Sequence, residues 1–238
     1  MRHFGIIGYP LQHSFSAKYF TEKFAREHID AEYSLYPIEV EKLPSRIEEI
    51  LASLDGLNVT MPFKQAVIPY LDRLDATAEA VGAVNVICNR VGYNTDCLGF
   101  IDSLRPLLRP FDKEALVLGT GGAAKAVVYG LRQLGIRPTL VSRTPKEGQL
   151  GYDQLDKAVM ESHTVIVNCT PLGMFPDVDS FAPIPYSLIS ARHLLFDCVY
   201  NPEETLFLQR GKAQGATIRN GIEMLYGQAK AAWKIWNN

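Results

Sequence analysis

The most distinctive chemical motif in the sequence is a run of small residues, Gly119-Thr120-Gly121-Gly122-Ala123-Ala124. It follows an apolar run that ends at Leu118 and opens a helical pattern, which is the context in which the G-x-G-x-x-G/A pattern binds a dinucleotide. Gly119 permits the tight turn, Gly121 lets the backbone approach a pyrophosphate, and Ala124 keeps the helix close to the strand. The positive end of the helix dipole then attracts the anion. The alternative is a glycine-rich turn without a ligand.

The end of the next predicted strand indicates which dinucleotide would bind. An enzyme that uses NAD places an Asp or Glu there, on the ribose hydroxyl. This sequence has Ser142-Arg143-Thr144 instead. A guanidinium suits a 2′-phosphate, and no carboxylate is available for an unmodified ribose, so the sequence favours NADP over NAD. Without the glycine motif, Arg143 would be interpreted as a solvated surface charge.

A second set of polar residues lies where apolar runs of the first part end, and loop ends on a rigid scaffold are common binding positions. The set comprises Ser14, Ser16, Asn58, Thr60, Lys64, Asn85 and Asp96. Four of these residues have a structural alternative. Ser16 could be a helix N-cap and Lys64 a surface charge. Asn85 could be either a satisfied strand amide or a ligand, and Asp96 could simply favour the first turn of a helix.

The elements that position these residues follow from hydrophobic periodicity, which alternates strand and helix and predicts an α/β fold. We predict strands at 4–8, 33–38, 57–60, 84–88, 90–93, 115–118, 138–142, 164–168 and 193–199. We predict helices at 16–28, 41–53, 72–81, 94–108, 122–134 and 221–236, with a long loop at 170–185. The strands at 164–168 and 193–199 are nearly all apolar, as strands covered on both faces are.

Composition limits the classes of function. The 238 residues are enough for two modest domains, and a net charge of −2 disfavours a nucleic-acid partner. The four cysteines form no C-x-x-C pair and the five histidines have no ligand spacing around them, so we expect no metal site. We find no signal-peptide pattern and no run of eighteen apolar residues. The expectation is a cytoplasmic protein with reduced thiols and no membrane association.

Several motifs resemble those of the shikimate dehydrogenase family, in the family order and over essentially the whole chain. In the first part they are Ser14-Phe15-Ser16, Asn58-Val59-Thr60-Met61-Pro62-Phe63-Lys64, Gly82-Ala83-Val84-Asn85 and Asn94-Thr95-Asp96. In the second part they are the glycine motif, Ser142-Arg143-Thr144, the run from Asn168 to Met174, the run from Asp197 to Pro202 and the run from Gly221 to Gln228.

The resemblance implies a fold, an activity and site residues. The implied fold has an α/β substrate domain, residues 1–97 completed by a returning C-terminal helix at 221–238, and a Rossmann-type NADP-binding domain at 98–220. The implied activity is the reversible NADPH-dependent reduction of 3-dehydroshikimate to shikimate, in chorismate and aromatic amino acid biosynthesis, by a monomer or homodimer. Lys64 and Asp96 would be the catalytic pair. The substrate would be held by Ser14, Ser16, Asn58, Thr60, Asn85 and Gln228. The cofactor would be held by Gly119, Gly121, Gly122, Ala123, Ala124, Ser142, Arg143, Thr144, Thr170, Val199, Gly221 and Met224.

The sequence departs from the family pattern in three respects. Ser142 replaces the usual Asn, and the second basic residue that often clamps the phosphate has no clear equivalent, although Lys146 lies nearby. The segment from 143 to 164 is short, which indicates a trimmed helix and linker.

Three alternative functions remain: a quinate/shikimate dehydrogenase, a non-catalytic NADP-binding sensor, and a dehydrogenase of a folate one-carbon unit. The paired serines and the Asn94-Thr95-Asp96 element favour the ring acid over the last of these.

Overall fold

The computed structural model describes residues 1–11 and 14–238. Its chain divides into two compact units, one made of Met1–Thr95 with Gln228–Asn238 and the other of Asp96–Gly227. The family resemblance implied divisions at 97/98 and 220/221. Each unit contains one β-sheet. Within the described ranges, no helix is both long enough and apolar enough to cross a bilayer.

The first unit is built on a mixed six-stranded sheet with the order β2-β1-β3-β5-β6-β4. The strands are β1 (Arg2–Gly8), β2 (Ala31–Pro37), β3 (Gly56–Val59), β4 (Arg73–Leu74), β5 (Val86–Cys88) and β6 (Val91–Tyr93). The helices are α1 (Phe15–Arg26), α2 (Leu43–Ser53) and α3 (Ala76–Val81). Strand β1 pairs in parallel with β2 and β3, whereas β5 and β6 form the predicted antiparallel hairpin.

The two faces of this sheet are covered by different helices because side chains alternate along a strand. On one face Ile7, Leu57 and Val59 pack with apolar residues of α2. On the other face Phe4 and Val86 pack with α1 and with the end of the last helix, α8 (Ile222–Ile235). The predicted return of the C-terminal helix to the first part of the chain is confirmed.

Trp236, directly after α8, anchors the returning segment in the first unit. Its ring stacks on Phe4 at 4.8 Å between centroids and lies 5.0 Å from the ring of Phe20. Its Nε1 donates to the Ile87 carbonyl oxygen over 3.1 Å. Because only 4% of Trp236 is exposed, a large apolar area and one buried hydrogen bond hold the end of the chain to the sheet.

The second unit is built on an all-parallel five-stranded sheet with the order β11-β10-β9-β7-β8. The strands are β7 (Glu114–Leu118), β8 (Arg137–Val141), β9 (Val165–Asn168), β10 (Leu194–Asp197) and β11 (Thr217–Arg219). The helices are α4 (Asp96–Leu104), α5 (Gly122–Gln133), α6 (Lys157–Ser162) and α7 (Leu206–Ala213). Apolar clusters cover both faces, so the predicted α/β class with a Rossmann-type sheet is confirmed.

The strand order of this sheet creates a crevice. From β7 the chain passes through α5 to β8 on one side, and then crosses to β9 on the other side of β7. Open α/β sheets bind ligands outside the carboxyl ends of the strands at such a reversal. The residues that follow β7, β8, β9 and β10 therefore meet at one edge of the second unit.

A few elements differ from the sequence prediction. The helix expected at 72–81 begins only at Ala76, because Asp75 caps it by accepting from the Ala78 N–H at 2.8 Å and the preceding residues form β4. Helix α7 and strand β11 were not predicted. Helix α6 has only six residues, in agreement with the expected trimming of this segment.

We predict that Trp236→Ala lowers the free energy of unfolding by about 3–5 kcal/mol, because it leaves a cavity among aromatic rings and an unpaired Ile87 carbonyl. Urea denaturation followed by circular dichroism measures the change. Lys234→Ala, at an exposed position near the end of α8, is the control and should change the free energy by less than about 0.5 kcal/mol. A Trp236→Ala protein as stable as this control would contradict the anchoring role.

Candidate active site

A buried hydrogen-bond network lies at the end of β3 in the first unit. The Tyr33 hydroxyl donates to Asn58 Oδ1 over 2.7 Å, and Asn58 Nδ2 donates to the Asn85 carbonyl oxygen over 3.3 Å. Burial raises the pKa of the Tyr33 phenol well above its usual value, against the opposite effect of a hydrogen bond with Ser16. Tyr33 therefore stays protonated and orients the Asn58 amide, and it joins Ser16 to Asn58.

Asn85 extends this network towards the next motif. The Thr95 N–H donates to Asn85 Oδ1 over 2.7 Å, and Asn85 Nδ2 donates to Thr95 Oγ1 over 3.0 Å. The neighbouring Asn94 Nδ2 donates to the Ala83 carbonyl oxygen over 2.9 Å. Of the two interpretations of Asn85, structural satisfaction of its amide is thus observed, while a ligand role remains a prediction.

The two catalytic candidates lie next to residues at the end of this network along the chain. The Lys64 carbonyl oxygen accepts from the Val84 N–H over 2.7 Å, which holds Lys64 beside the residue that precedes Asn85. Its side chain is half-buried, unlike most surface lysines. Asp96 follows Thr95 directly, begins α4 as expected, and is only 8% exposed. Both residues therefore occupy sites where a charge requires compensation.

The serine pair corrects one interpretation of the sequence. Ser14, not Ser16, is the N-cap of α1, because the helix begins at Phe15 and Ser14 Oγ accepts from the Ala17 N–H over 3.3 Å. Ser16 lies inside the first turn, is 8% exposed and contacts Tyr33.

The remaining substrate candidates, Thr60 and Gln228, lie at different parts of the first unit. The Thr60 N–H donates to the Ile7 carbonyl oxygen over 2.9 Å and so continues the pairing of β3 with β1. Gln228 is the first residue of the returning segment and is 7% exposed.

In the second unit, the glycine motif forms the turn between β7 and α5. Gly119 has a φ of 102°, which L residues rarely adopt, and Gly121 is the last residue before the helix. A Cβ added at Gly121 would have no neighbour within 4 Å, so open space adjoins the first turn, which begins with Gly122 and Ala123. Ala124 is 1% exposed and packs in the core. This open turn at a helix N-terminus fits the pyrophosphate of a dinucleotide.

A second buried network joins the ends of β9 and β10. Asn168 Oδ1 accepts from the Thr170 N–H at 3.1 Å and from the Thr170 hydroxyl at 2.6 Å. Asn168 Nδ2 donates to Asp197 Oδ1 over 3.0 Å, and that oxygen also accepts from the Val199 N–H over 2.9 Å. The network therefore fixes Thr170 and Val199, two of the predicted cofactor residues.

The last two cofactor candidates lie around the start of α8. The Gly221 N–H donates to the Val199 carbonyl oxygen over 3.1 Å, which ties this turn to the end of β10. Met224, in the first turn of α8, is 7% exposed and packs against the sheet.

The sequence analysis assigned no individual role to three residues of these networks, which are Tyr33, Thr95 and Asp197. Asp197 is 0% exposed, and burial raises its pKa to about 6, against hydrogen bonds from Thr205, Val199 and Asn168. A carboxylate at the end of an apolar strand destabilises the fold unless it is partnered. The position of Asp197 in the sequence could therefore have indicated a buried network.

Ser142 and Thr144, which follow β8, line a cavity of about 330 Å³. Ser142 Oγ accepts from the Thr144 N–H over 3.2 Å. The cavity is lined by Thr120, Ala124, Lys125, Val128, Leu140, Ser142, Thr144, Lys146 and Gln149. Arg143 is exposed and is not one of the lining residues.

All four cysteines are free thiols. The described part of the chain contains no group of three acidic, His or Cys side chains that could hold a metal.

The chain is similar to known proteins over nearly its full length. A family model for the shikimate dehydrogenase substrate binding domain matches residues 6–87. A shikimate dehydrogenase (NADP(+)) of Clostridium beijerinckii is 39% identical over 251 residues, which cover 99% of this chain and 92% of that protein. The chain belongs to the shikimate dehydrogenase family. These matches confirm the resemblance to this family that the sequence motifs indicated.

Solved members of the shikimate dehydrogenase family have the same fold. Shikimate dehydrogenase from Aquifex aeolicus superimposes with a TM-score of 0.89 at 35% identity, covering 100% of this chain and 92% of that one. The enzyme from Thermus thermophilus, solved in complex with NADP(H) and shikimate, gives 0.88 at 30% identity, covering 99% and 93%.

We predict that stability depends on pH through Asp197. Its pKa of about 6 in the folded protein lies above the value of about 3.9 for an unfolded chain, so the folded state binds more protons between these values. The free energy of unfolding should therefore fall as pH rises through 6. Relative to Asp197→Asn, which cannot ionise, the wild-type protein should lose about 1 kcal/mol between pH 5 and pH 8. Urea denaturation at a series of pH values measures this, and a constant difference between the two proteins would contradict it.

Proposed function

We propose that this chain is an NADP-dependent shikimate dehydrogenase that reversibly reduces 3-dehydroshikimate to shikimate. The observation that carries the proposal is the match over nearly the full chain to relatives of that name. A dinucleotide turn and a cluster of buried hydroxyl and amide groups agree with it. Neither alternative, a relaxed quinate/shikimate enzyme or a sensor, is favoured by a specific observation.

The substrate-binding role belongs to short neutral side chains. Shikimate has one carboxylate and three hydroxyls on a small ring, which require several hydrogen-bonding groups. In this proposal Ser14, Ser16 and Thr60 supply hydroxyls, while Asn58, Asn85 and Gln228 supply amides. Hydrogen bonds hold Ser16 and Asn58 on Tyr33 and hold Asn85 on Thr95, so these groups are oriented before substrate arrives.

Proton transfer is assigned to Lys64. Bound NADPH or NADP supplies or accepts the hydride. In the reducing direction, a protonated Lys64 donates from Nζ to the carbonyl oxygen, and in the oxidising direction a neutral Lys64 accepts the proton. In this proposal Asp96 is the acidic partner that positions the Lys64 ammonium group for the transfer.

The domain roles, the location and the oligomeric state belong to the same proposal. We assign substrate binding to residues 1–97 with 221–238, supported by the substrate-domain model that matches 6–87. NADP binding is assigned to 98–220, supported by the glycine turn. The four free thiols agree with a cytoplasmic location, and monomer or homodimer remains the prediction.

The decisive test uses purified protein with shikimate and with quinate, each with NADP and with NAD, while the reduced cofactor is followed at its absorbance band. We expect rapid turnover only with shikimate and NADP. Comparable rates with quinate or with NAD would favour the relaxed enzyme. No turnover in all four mixtures would favour the sensor.

We predict that Lys64→Ala lowers kcat by roughly 10²- to 10⁴-fold with a smaller change in KM for shikimate, because it removes the proton donor. Steady-state kinetics in both directions measure the two constants. Lys18→Ala, which removes an exposed lysine of the same unit, should leave both unchanged. Near-normal kcat in Lys64→Ala with an unaltered circular dichroism spectrum would remove Lys64 from the chemistry.

A further inference from the structure

Two thiols of the second unit, which the proposed reaction does not use, lie in contact with each other. Cys169 follows β9 and Cys198 follows β10, and their Sγ atoms are 3.8 Å apart. The residues before them, Asn168 and Asp197, are a registered pair on these parallel strands, so the cysteines are the next pair along. Neighbouring strands lie about 4.8 Å apart, which falls within the Cα separations of about 4.4–6.8 Å that a disulfide spans.

The two thiols lie on the opposite face of the sheet from the buried network of Asn168 and Asp197, because successive side chains of a strand alternate between faces. On that face both pack against the apolar cluster that contains Phe100. Both cysteines are only partly buried, so a small oxidant can reach the pair. Burial raises the pKa of the Cys169 thiol well above its usual value, which keeps this thiol protonated at neutral pH. The first reaction with an oxidant therefore falls to Cys198, since the thiolate is the nucleophile.

Four of the predicted cofactor residues adjoin the pair. They are Gly119, Thr170, Val199 and Gly221. Thr170 and Val199 directly follow the two cysteines in the chain, and the two glycines face the carbonyl groups of the cysteines. A Cβ added at Gly119 would lie 3.4 Å from the Cys169 carbonyl oxygen, and one added at Gly221 would collide with the Cys198 carbonyl oxygen. Because the backbones are packed this closely, a displacement of either cysteine also displaces residues that we assign to the cofactor.

We infer that Cys169 and Cys198 form a site of reversible oxidation, where hydrogen peroxide converts the two thiols into a disulfide that weakens binding of the nucleotide. The identity of the nucleotide rests on the proposed function, whereas formation of the disulfide does not. In a reducing compartment such a disulfide is transient and reports oxidising conditions. The site therefore couples the redox state of its surroundings to occupancy of the second unit.

The oxidation takes two steps. First the Cys198 thiolate attacks one oxygen of hydrogen peroxide, the O–O bond breaks, and a sulfenic acid forms. The departing hydroxide takes up the proton that the thiol lost and becomes water. Then the Cys169 sulfur attacks the Cys198 sulfur, the S–O bond breaks, and the departing hydroxide takes the Cys169 proton as a second water. The two thiols lose two electrons and the peroxide gains them. The second step is intramolecular, which favours it over further oxidation of the sulfenic acid.

The new bond must displace the chain after the strands. Its formation brings the sulfur atoms from 3.8 Å to about 2.0 Å. On the amide side both cysteines are held, because the Cys169 N–H donates to the Leu118 carbonyl oxygen and the Cys198 N–H to the Asn168 carbonyl oxygen, each over 2.9 Å. The part of the displacement that side-chain rotation does not absorb therefore falls on the carbonyl side, where the two cofactor loops begin.

The first test locates the disulfide. Reduced full-length protein is treated with hydrogen peroxide, its remaining thiols are blocked, and a tryptic digest is analysed by mass spectrometry without reduction. The two cysteines fall on separate tryptic peptides, 158–192 and 193–210. We expect these peptides to be linked, with a mass two hydrogens below their sum, and to separate on reduction. Cys169→Ala should leave a sulfenic acid at Cys198 that dimedone captures, and Cys198→Ala should form no link.

The second test measures NADP binding by calorimetry before oxidation, after oxidation and after renewed reduction. We expect oxidation to weaken binding about tenfold and reduction to restore it, because displaced contacts lose part of their free energy. Cys198→Ala should bind NADP within about twofold of the reduced wild type and keep that affinity in peroxide. The matched control is Cys88→Ala, which removes a partly buried thiol of the first unit and should preserve both the link and its effect.

Either of two results would overturn the inference. One is that peptides 158–192 and 193–210 of the wild-type protein stay unlinked after peroxide treatment. The other is that the linked protein binds NADP as tightly as the reduced protein does. A protein that forms the link and then loses NADP, but shows no turnover with shikimate when reduced, would support this inference and refute the proposed function.

Discussion

A buried amide or carboxylate destabilises a fold unless each of its polar atoms has a partner, and this requirement organises both units. In each sheet a polar residue interrupts an apolar strand near its carboxyl end, namely Asn58 of β3 and Asn168 of β9. Each amide bonds to groups from other strands of its own sheet or from the loops next to those strands. The residues that follow these strands are therefore held by the same bonds that make the burial possible.

The two networks differ in charge. In the first unit the partners are neutral: a protonated phenol, an amide and a threonine hydroxyl. In the second unit Asp197 is a buried carboxyl with a raised pKa and three donors around it. None of these three donors is a cation. The hydrogen bonds of Asp197 therefore orient the loop that follows β10 and do not neutralise a charge.

Much of the architecture could be predicted because its signals are local. The glycine turn, the alternation of strand and helix, and the return of the last helix depend on short patterns or on family motifs. The pairing of side chains could not be predicted in this way. Tyr33 and Asn58 are 25 residues apart, Asn58 and Asn85 are 27 apart, and Asn168 and Asp197 are 29 apart. The serine misassigned as an N-cap shows that even a local rule leaves a register error of two residues.

The discontinuity of the first unit has a consequence for how the protein is made. A ribosome synthesises the chain from its N-terminus, so the aromatic anchor after α8 emerges only when the whole second unit has already been translated. Until then Phe4 and Phe20 lack the indole that covers them, and an apolar patch stays open on the nascent polypeptide. The order of maturation is thus the reverse of the order of synthesis: the second unit can close first, and the unit whose translation begins earliest is completed last.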